Sequence, residues 1–220
     1  MPDWMQQRSN RAVMARPHPV SAAVDARAAA RQRAPAAQIS PIPVPGIENR
    51  SVLPMVTAYV ALGANLGDAH AALRQARAAL DSAAHSRVIA CSSIYKTPAL
   101  DDDAAPMDPP SPDYFNAVLA LETSLSAKDL LVFMQLVETA AGRQRPYRLA
   151  PRTLDLDLLR FGSLQSDEPS LTLPHPRMMS RAFVLVPLAE IAPEQVSPAE
   201  LAAVQGQRIE RLGPLTAAKD

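Results

Sequence analysis

The 220-residue chain balances 22 basic against 22 acidic residues, so its formal net charge is zero. This balance excludes a basic field over the whole chain of the kind that attracts nucleic acid, and no run reaches the roughly 18 apolar residues of a membrane span. The chain has one cysteine, Cys91, which excludes an internal disulfide and is typical of a reducing compartment. We therefore expect a soluble, cytoplasmic protein.

The N-terminal quarter of the chain differs in composition from the rest. Residues 1–55 carry seven arginines against three acidic residues, and 1–54 are rich in Ala and Pro with Trp4 as the one aromatic residue. Such a segment buries too little apolar surface to offset the entropy lost on ordering. We therefore predict a disordered extension over 1–54 and a folded domain over 55–220. Because Met55 stands directly before the first predicted strand, we expect the domain to fold without the extension.

Hydrophobic periodicity predicts an alternation of strands and helices along the domain. Strands are expected over residues 56–63, 87–97, 114–123 and 153–161, with helices over about 69–82 and 126–141, and the expected N-caps are Asp68 and Ser126. A mostly apolar helix should run from Arg181 to about Ile191, and the tail from Ser197 should form one short helix and then fray. The βαββαβ order predicts an α+β, ferredoxin-like fold: an antiparallel four-stranded sheet with two helices on one face, here with a C-terminal helical addition.

The stretch from Thr153 to Leu159 alternates apolar and polar residues, as a half-buried strand does. Its leucines should face a core, while Asp155 and Asp157 share the opposite face, roughly 7 Å apart at about 3.3 Å rise per residue. Two carboxylates on one rigid face suit a hard divalent cation. Aspartates are also common on the solvated face of a sheet edge, and the alternation alone leaves both interpretations open.

Neighbouring arginines favour a binding site over a solvated edge. The loop before the strand contributes Arg143 and Arg145, and Arg152 closes it. Guanidinium groups grip phosphate oxygens and a divalent cation bridges them, so this stretch predicts a polyphosphate site.

Tyr114 and Asn116 alternate onto one face of their predicted strand. An aromatic ring and an amide so placed could hold a flat heterocycle by stacking and hydrogen bonding, although ordinary sheet residues are the alternative. The turn from Gly63 to Asp68 contains two glycines but lacks the Lys-Ser/Thr of a P-loop and the third glycine of a dinucleotide fingerprint. We interpret it as a structural turn.

Together these motifs resemble the 6-hydroxymethyl-7,8-dihydropterin pyrophosphokinase family of folate synthesis. The segment RLAPRTLDLDLL at residues 148–159 is similar to that family's signature, and the likeness continues through AYVALGANLGD, SSIYKTPAL, DYFNAVLALET and PHPRM. The resemblance covers about 56–193, and it implies that the domain over 55–220 is a ferredoxin-like pyrophosphokinase domain with ATP as co-substrate and two Mg²⁺ ions. It also implies transfer of pyrophosphate from ATP to the hydroxymethyl group of the pterin, with release of AMP.

Carried over position by position, the resemblance implies three sets of site residues. The catalytic set is Arg143, Arg152, Asp155 and Asp157, with both Mg²⁺ ions on the two aspartates. The ATP-binding set is Gln135, Glu138, Arg143, Arg145, Arg152, Leu158, Thr172, His175 and Arg181. The pterin-binding set is Thr97, Pro98, Leu100, Tyr114, Asn116 and Phe183, with the ring between Tyr114 and Phe183.

Some positions depart from the family pattern. Leu149 stands where some members have a tryptophan that seals a closed loop, and Ser170 stands where some have an arginine. The loop between Arg145 and Arg152 is one residue shorter than in some relatives. The resemblance therefore implies that loop closure and one nucleotide contact differ in this chain.

Two other functions fit parts of the pattern. A metal-dependent phosphoesterase would use the same aspartates and arginines but would release phosphate from ATP without pterin. A ferredoxin-like nucleic-acid-binding module would need stacking aromatics and basic residues on its open sheet face, where this chain has Asp155 and Asp157. We expect instead a monomer whose partners are small molecules, without nucleic acid or membrane.

Overall fold

The computed structural model describes residues 54–99, 111–142 and 152–216. The strands in these ranges are β1 (Val56–Ala64), β2 (Ser86–Cys91), β3 (Ser93–Thr97), β4 (Tyr114–Thr123), β5 (Asp155–Phe161), β6 (Ser166–Glu168), β7 (Leu171–Leu173) and β8 (Glu210–Pro214). The helices are α1 (Ala69–Ser82), α2 (Ala127–Ala140), α3 (Ala182–Ile191) and α4 (Pro198–Val204). No helix in the described ranges is long and apolar enough to cross a membrane.

The first two helices begin where their capping residues predict. The Asp68 side chain accepts a hydrogen bond from the Ala71 N–H at 2.9 Å, and the Ser126 hydroxyl accepts one from the Asp129 N–H at 3.1 Å. Each cap satisfies an N–H group that has no partner within the helix. Both predicted helices are confirmed to within one residue at each end.

The main sheet is antiparallel, with strand order β5-β1-β4-β3-β8 and with β2 also pairing to β4. The register places Gly63 of β1 opposite Asn116 of β4 on one side and opposite Asp155 of β5 on the other. Two residues earlier, Ala61 lies opposite Asp157 in β5. Asp155, Gly63 and Asn116 therefore form one row across three neighbouring strands.

One face of the sheet packs against α1 and α2. Leu154, directly before β5, and Leu156 and Leu158 within it are buried in this core, as the alternation predicts. The helices contribute apolar side chains at helical spacing to the same core: Ala72, Leu73, Ala76, Leu80, Leu130, Phe133, Met134 and Val137. The opposite face carries a second core in which α3 and α4 pack on Ala61, Val118 and Leu159. Asp155 and Asp157 alternate onto this second face.

Two predictions for the sheet were wrong. The single strand expected over 87–97 is divided at Ser92, whose hydroxyl accepts a hydrogen bond from the Val118 N–H at 2.9 Å. The tail expected to fray contains β8, which pairs with β3 and extends the sheet beyond four strands. The β8 sequence, Glu210 to Pro214, has no apolar alternation, so its pairing depends on tertiary contacts that periodicity does not report.

A polar network that joins buried Ser93 and Tyr95 to the more exposed Glu190 and Arg211 attaches α3 and β8 to β3. The Glu190 carboxylate of α3 accepts hydrogen bonds from the Ser93 N–H at 2.9 Å, the Ser93 hydroxyl at 2.8 Å, the Tyr95 hydroxyl at 2.9 Å and the Arg211 guanidinium at 2.7 Å. Burial raises the pKa of Glu190, but the bonds from Ser93, Arg211 and Tyr95 outweigh it and hold the pKa below its ordinary value. Burial, and then the bond to Glu190, raise the pKa of Tyr95 to about 12.

Candidate active site

An open pocket lies where β1, β3, β4 and β5 approach the start of α3. Some of the residues predicted for each of the two substrates line it. Its lining consists of Ala61, Leu62, Gly63, Thr97, Pro98, Tyr114, Asn116, Arg152, Asp155, Asp157, Arg181 and Phe183. The first three of these residues belong to β1, the strand between β4 and β5, and were not predicted.

One end of the pocket carries the two carboxylates among cationic groups. Arg152 forms an ion pair with Asp155. The Asp157 Oδ2 atom lies 3.8 Å from Nη1 of Arg181 and 3.9 Å from Nε2 of His175. Burial raises the pKa of Asp157 and the charge of Asp155 raises it further, while His175, Arg181 and Arg152 lower it. Burial also lowers the pKa of His175 below its ordinary value.

This donor set suits Mg²⁺ that is shared with a phosphate. Mg²⁺ commonly takes one or two protein carboxylates and completes its octahedron with water and substrate phosphate oxygens. The described ranges contain no group of three or more His, Cys, Asp or Glu side chains that could enclose a cation without such help. Burial, and then the charge of Asp155, raise the pKa of Asp157, and a bound cation would stabilise its ionised form.

The other end of the pocket is aromatic and amide-bearing. Asn116 is 4% exposed, and its Nδ2 atom donates to the Thr97 hydroxyl at 3.0 Å. Tyr114 and Asn116 share the pocket face of β4, while Phe115, between them, faces the α1/α2 core, as predicted. The Arg181 guanidinium carbon lies 5.2 Å from the ring centroid of Phe183, so this arginine connects the aromatic end to Asp157.

The remaining described residues predicted to bind ATP lie along the outer edge of β5. Glu138 of α2 is 2% exposed, and its Oε1 atom accepts a hydrogen bond at 2.8 Å from the Leu156 N–H, between the two aspartates. Leu158 is buried in the α1/α2 core, Gln135 is exposed on α2, and Thr172 of β7 donates to the Glu168 carbonyl at 3.1 Å. None of these four lines the pocket described above. Leu100, Arg143 and Arg145 lie outside the described residues.

Sequence reasoning missed three lining residues of β1, which are Ala61, Leu62 and Gly63, and it assigned no contact to Asn65 in the turn that follows. Gly63 lies within β1 and lines the pocket, whereas Gly67, with φ of 65°, makes the turn. Asn65 accepts a hydrogen bond from the Arg152 backbone N–H. The only signal in the sequence was an asparagine two residues after a glycine at the end of a predicted strand. That signal does not identify the partner of Asn65, which is 87 residues away.

Comparison with known proteins identifies the family. The family model described as 7,8-dihydro-6-hydroxymethylpterin-pyrophosphokinase matches residues 59–193. A 2-amino-4-hydroxy-6-hydroxymethyldihydropteridine pyrophosphokinase of Synechocystis sp. is 45% identical over 141 residues, covering 64% of this chain and 69% of that protein. The enzyme of the same name from Pseudomonas aeruginosa is 41% identical over 160 residues, covering 70% of this chain and 95% of that protein.

Solved structures include a Plasmodium falciparum HPPK-DHPS protein, 14% identical with a TM-score of 0.44, covering 64% of this chain and 38% of that longer one. The sequence relatives and the family model are far more similar to this chain, and the matched range contains every residue that lines the pocket. The chain belongs to the 7,8-dihydro-6-hydroxymethylpterin-pyrophosphokinase family.

Proposed function

We propose that the pocket is the site at which this chain transfers pyrophosphate from ATP to the hydroxymethyl group of 6-hydroxymethyl-7,8-dihydropterin and releases AMP. The chain is a pyrophosphokinase of folate biosynthesis by its family and its named relatives. One observation carries the assignment to this pocket: a carboxylate–arginine end and an aromatic–amide end lie side by side in it. A phosphoryl donor and a flat heterocyclic acceptor require those two kinds of surface at short range.

The two Mg²⁺ ions are proposed to bind Asp155 and Asp157. Support comes from the carboxylate pair on one strand face and from the raised pKa of Asp157. Bound there, Mg²⁺ would neutralise charge on the phosphates and lower the pKa of the acceptor hydroxyl. The residues of the chain supply the position: β5 is paired to β1 on one side, and Glu138 holds the Leu156 N–H on the other.

The arginines are proposed to hold the triphosphate. Arg152 and Arg181 each face one of the two aspartates, so a phosphate bridged to that aspartate by metal would lie within reach of a guanidinium fork. His175 lies next to Asp157, and burial lowers the pKa of its imidazole, which favours the neutral form. Arg143 and Arg145 complete the proposed set from outside the described residues.

The pterin is proposed to lie between Tyr114 and Phe183, with Asn116 and Thr97 as its hydrogen-bonding partners and with Pro98 and Leu100 beside it. The buried Asn116–Thr97 bond supports this because it fixes the amide orientation before substrate arrives. The adenosine is proposed to lie at the outer edge of β5, among Gln135, Glu138, Leu158 and Thr172. There the edge strand, α2 and β7 approach one another.

We also propose a ferredoxin-like topology, a single catalytic domain over 55–220 with an N-terminal extension over 1–54, and a monomeric, cytoplasmic protein that binds no nucleic acid. The order β5-β1-β4 followed by β2 and β3 supports the topology, because it corresponds to the order 4-1-3-2 of the four predicted strands. The family match, 59–193, falls inside the proposed domain.

The deciding assay measures AMP formation from ATP and Mg²⁺ with and without 6-hydroxymethyl-7,8-dihydropterin. Pterin-dependent AMP is expected, with one AMP for each pterin converted. The comparisons do not support a phosphoesterase or a nucleic-acid-binding module. Phosphate released at the same rate without pterin would contradict the proposal and would return the phosphoesterase to consideration.

A further inference from the structure

Asn65 follows β1 directly and connects two segments that are distant in sequence. The residue is 6% exposed. Its Oδ1 atom accepts a hydrogen bond from the Arg152 N–H at 2.7 Å, and its Nδ2 atom donates to the Pro112 carbonyl oxygen at 3.2 Å. One buried amide therefore uses both of its functional groups to hold backbone on two sides of the pocket.

The backbone of the same turn completes the hold on Arg152. The N–H groups of Asn65 and Leu66 both donate to the Arg152 carbonyl oxygen, at 3.0 and 3.2 Å. The N–H and the C=O of Arg152 are thus both bound to this turn. The backbone conformation of a residue fixes the direction of its Cα–Cβ bond. The turn therefore sets the direction in which the Arg152 side chain extends toward the pocket.

The position of that guanidinium matters for phosphate binding. An arginine side chain has many rotamers, and ordering it opposes binding by the entropy that is lost. A backbone that is already fixed, together with the ion pair to Asp155, reduces the entropy that the triphosphate must offset. On the other side, Pro112 lies two residues before Tyr114, which begins β4 and lines the aromatic end of the pocket.

We propose that Asn65 is a positioning residue for pyrophosphate transfer. Its Oδ1 atom fixes Arg152 at the phosphates, and its Nδ2 atom fixes the start of β4 at the pterin. The proposal rests on the proposed function of the pocket. Asn65 does not line the pocket, so it acts through Arg152 and Pro112 and not by touching substrate. A residue that only stabilised the β1–α1 turn would instead behave like Asp68, whose side chain caps α1.

The test is a double-mutant cycle of Asn65→Ala and Arg152→Ala in the full chain, with Asp68→Ala as the matched control from the same turn. Pterin-dependent AMP formation gives kcat and KM, and thermal unfolding gives Tm. Asn65→Ala is expected to lower kcat about 10-fold by releasing Arg152, but to change kcat less than about 2-fold when Arg152 is already alanine. Asp68→Ala should lower Tm while leaving kcat within about 2-fold of the unmutated chain. Additive effects in the cycle, or an unchanged kcat for Asn65→Ala, would overturn the proposal.

Asn65→Asp separates the two hydrogen bonds, because it keeps an acceptor for the Arg152 N–H and loses the donor to Pro112. Asn65→Asp should retain kcat within about 3-fold. It should raise the KM for pterin about 3-fold or more, which is the effect expected from the loss of one hydrogen bond. Asn65→Asp also tests the proposal if Asn65→Ala does not fold. The proposal is overturned if Asn65→Asp changes neither kcat nor the KM for pterin. It is likewise overturned if Asn65→Asp lowers kcat equally in the chain with Arg152 and in the Arg152→Ala chain. An unmutated chain that makes no pterin-dependent AMP would overturn the proposed function, which is a separate result.

Discussion

Replacing Gly63 with alanine should weaken pterin binding without unfolding the protein. Gly63 lies in the middle of the row formed by Asp155 of β5 and Asn116 of β4, and its φ is not in the left-handed region. The backbone therefore accepts any residue. The absence of a side chain serves the pocket, which Gly63 lines between the carboxylate end and the amide end.

The magnitude follows from the distance between the new methyl group and its nearest neighbour. A Cβ atom at Gly63 would lie 3.2 Å from Oδ1 of Asn116, which is tighter than ordinary van der Waals contact. Asn116 must then shift by a few tenths of an ångström, although it is buried and bonded to the Thr97 hydroxyl. Loss of one well-placed hydrogen bond to pterin costs about 0.5–1.5 kcal/mol, which corresponds to roughly 2- to 13-fold in affinity. Replacing glycine with alanine also lowers the conformational entropy of the unfolded chain. This stabilises the folded protein by about 0.4–1 kcal/mol and offsets the strain at Asn116.

Titration of pterin in the presence of a non-hydrolysable ATP analogue measures this effect, and thermal unfolding checks the fold. Gly206→Ala is the matched control, because a Cβ atom there would meet no atom within 4 Å. The expected result is weaker pterin binding for Gly63→Ala alone, with Tm close to that of the unmutated chain and with ATP-analogue affinity retained. Equal pterin affinity in the two variants would refute the steric argument, and a large fall in Tm would show that Gly63 serves the fold.

Three further changes test the rest of the site and the fold. Asp155→Ala or Asp157→Ala should lower turnover about 100-fold or more at saturating Mg²⁺ while Tm is retained, so turnover above about a tenth of normal would contradict a metal-binding role. Tyr114→Ala and Phe183→Ala should each weaken pterin binding by about 1 kcal/mol or more and spare ATP, which calorimetric titration of each ligand would check. Glu190→Gln should cost about 1–3 kcal/mol of unfolding free energy near pH 7, because each carboxylate oxygen accepts two hydrogen bonds and an amide nitrogen in its place accepts none. Folding lowers the pKa of Glu190, so its stabilisation is present above the unfolded pKa and is lost as the pH falls through the folded pKa. Urea titrations of Glu190→Gln and the unmutated chain should therefore converge once the pH lies below that folded pKa, and a difference that stays constant with pH would contradict the charge-based account.

The sequence predicts those parts of the fold in which one face of a strand or helix packs against a core. Alternation assigned Asp155 and Asp157 to one face and their neighbouring leucines to the other, because a strand half-buried against α1 and α2 tolerates only that pattern. The same reasoning placed Tyr114 and Asn116 together. The N-caps at Asp68 and Ser126 were predictable because a cap depends on atoms within three residues.

The parts that sequence does not predict depend on contacts between distant residues. Hydrogen bonds from Arg211 to Ser93 and Glu190 attach strand β8 to the rest of the fold. No local residue pattern in β8 predicts a strand there. The division of the second strand at Ser92 depends on the Val118 backbone. Within the site, the spacing of Arg152 from Asp155 is visible in the sequence. The hydrogen bond between Asn65 and Arg152 is not, because it joins the residue after β1 to the segment before β5, 87 residues away.

The register of three strands explains how the two substrates can meet. Neighbouring strands lie about 4.7–4.9 Å apart, so two spacings put the backbones of Asp155 and Asn116 about 10 Å from each other with Gly63 between them. Side chains on one face of a sheet stand roughly perpendicular to it, so the Asp155 carboxylate and the Asn116 amide border the space above Gly63. A side chain at the central position would enter that space. The hydrogen-bond register of the sheet therefore sets the spacing between the proposed metal ligand and the proposed pterin partner.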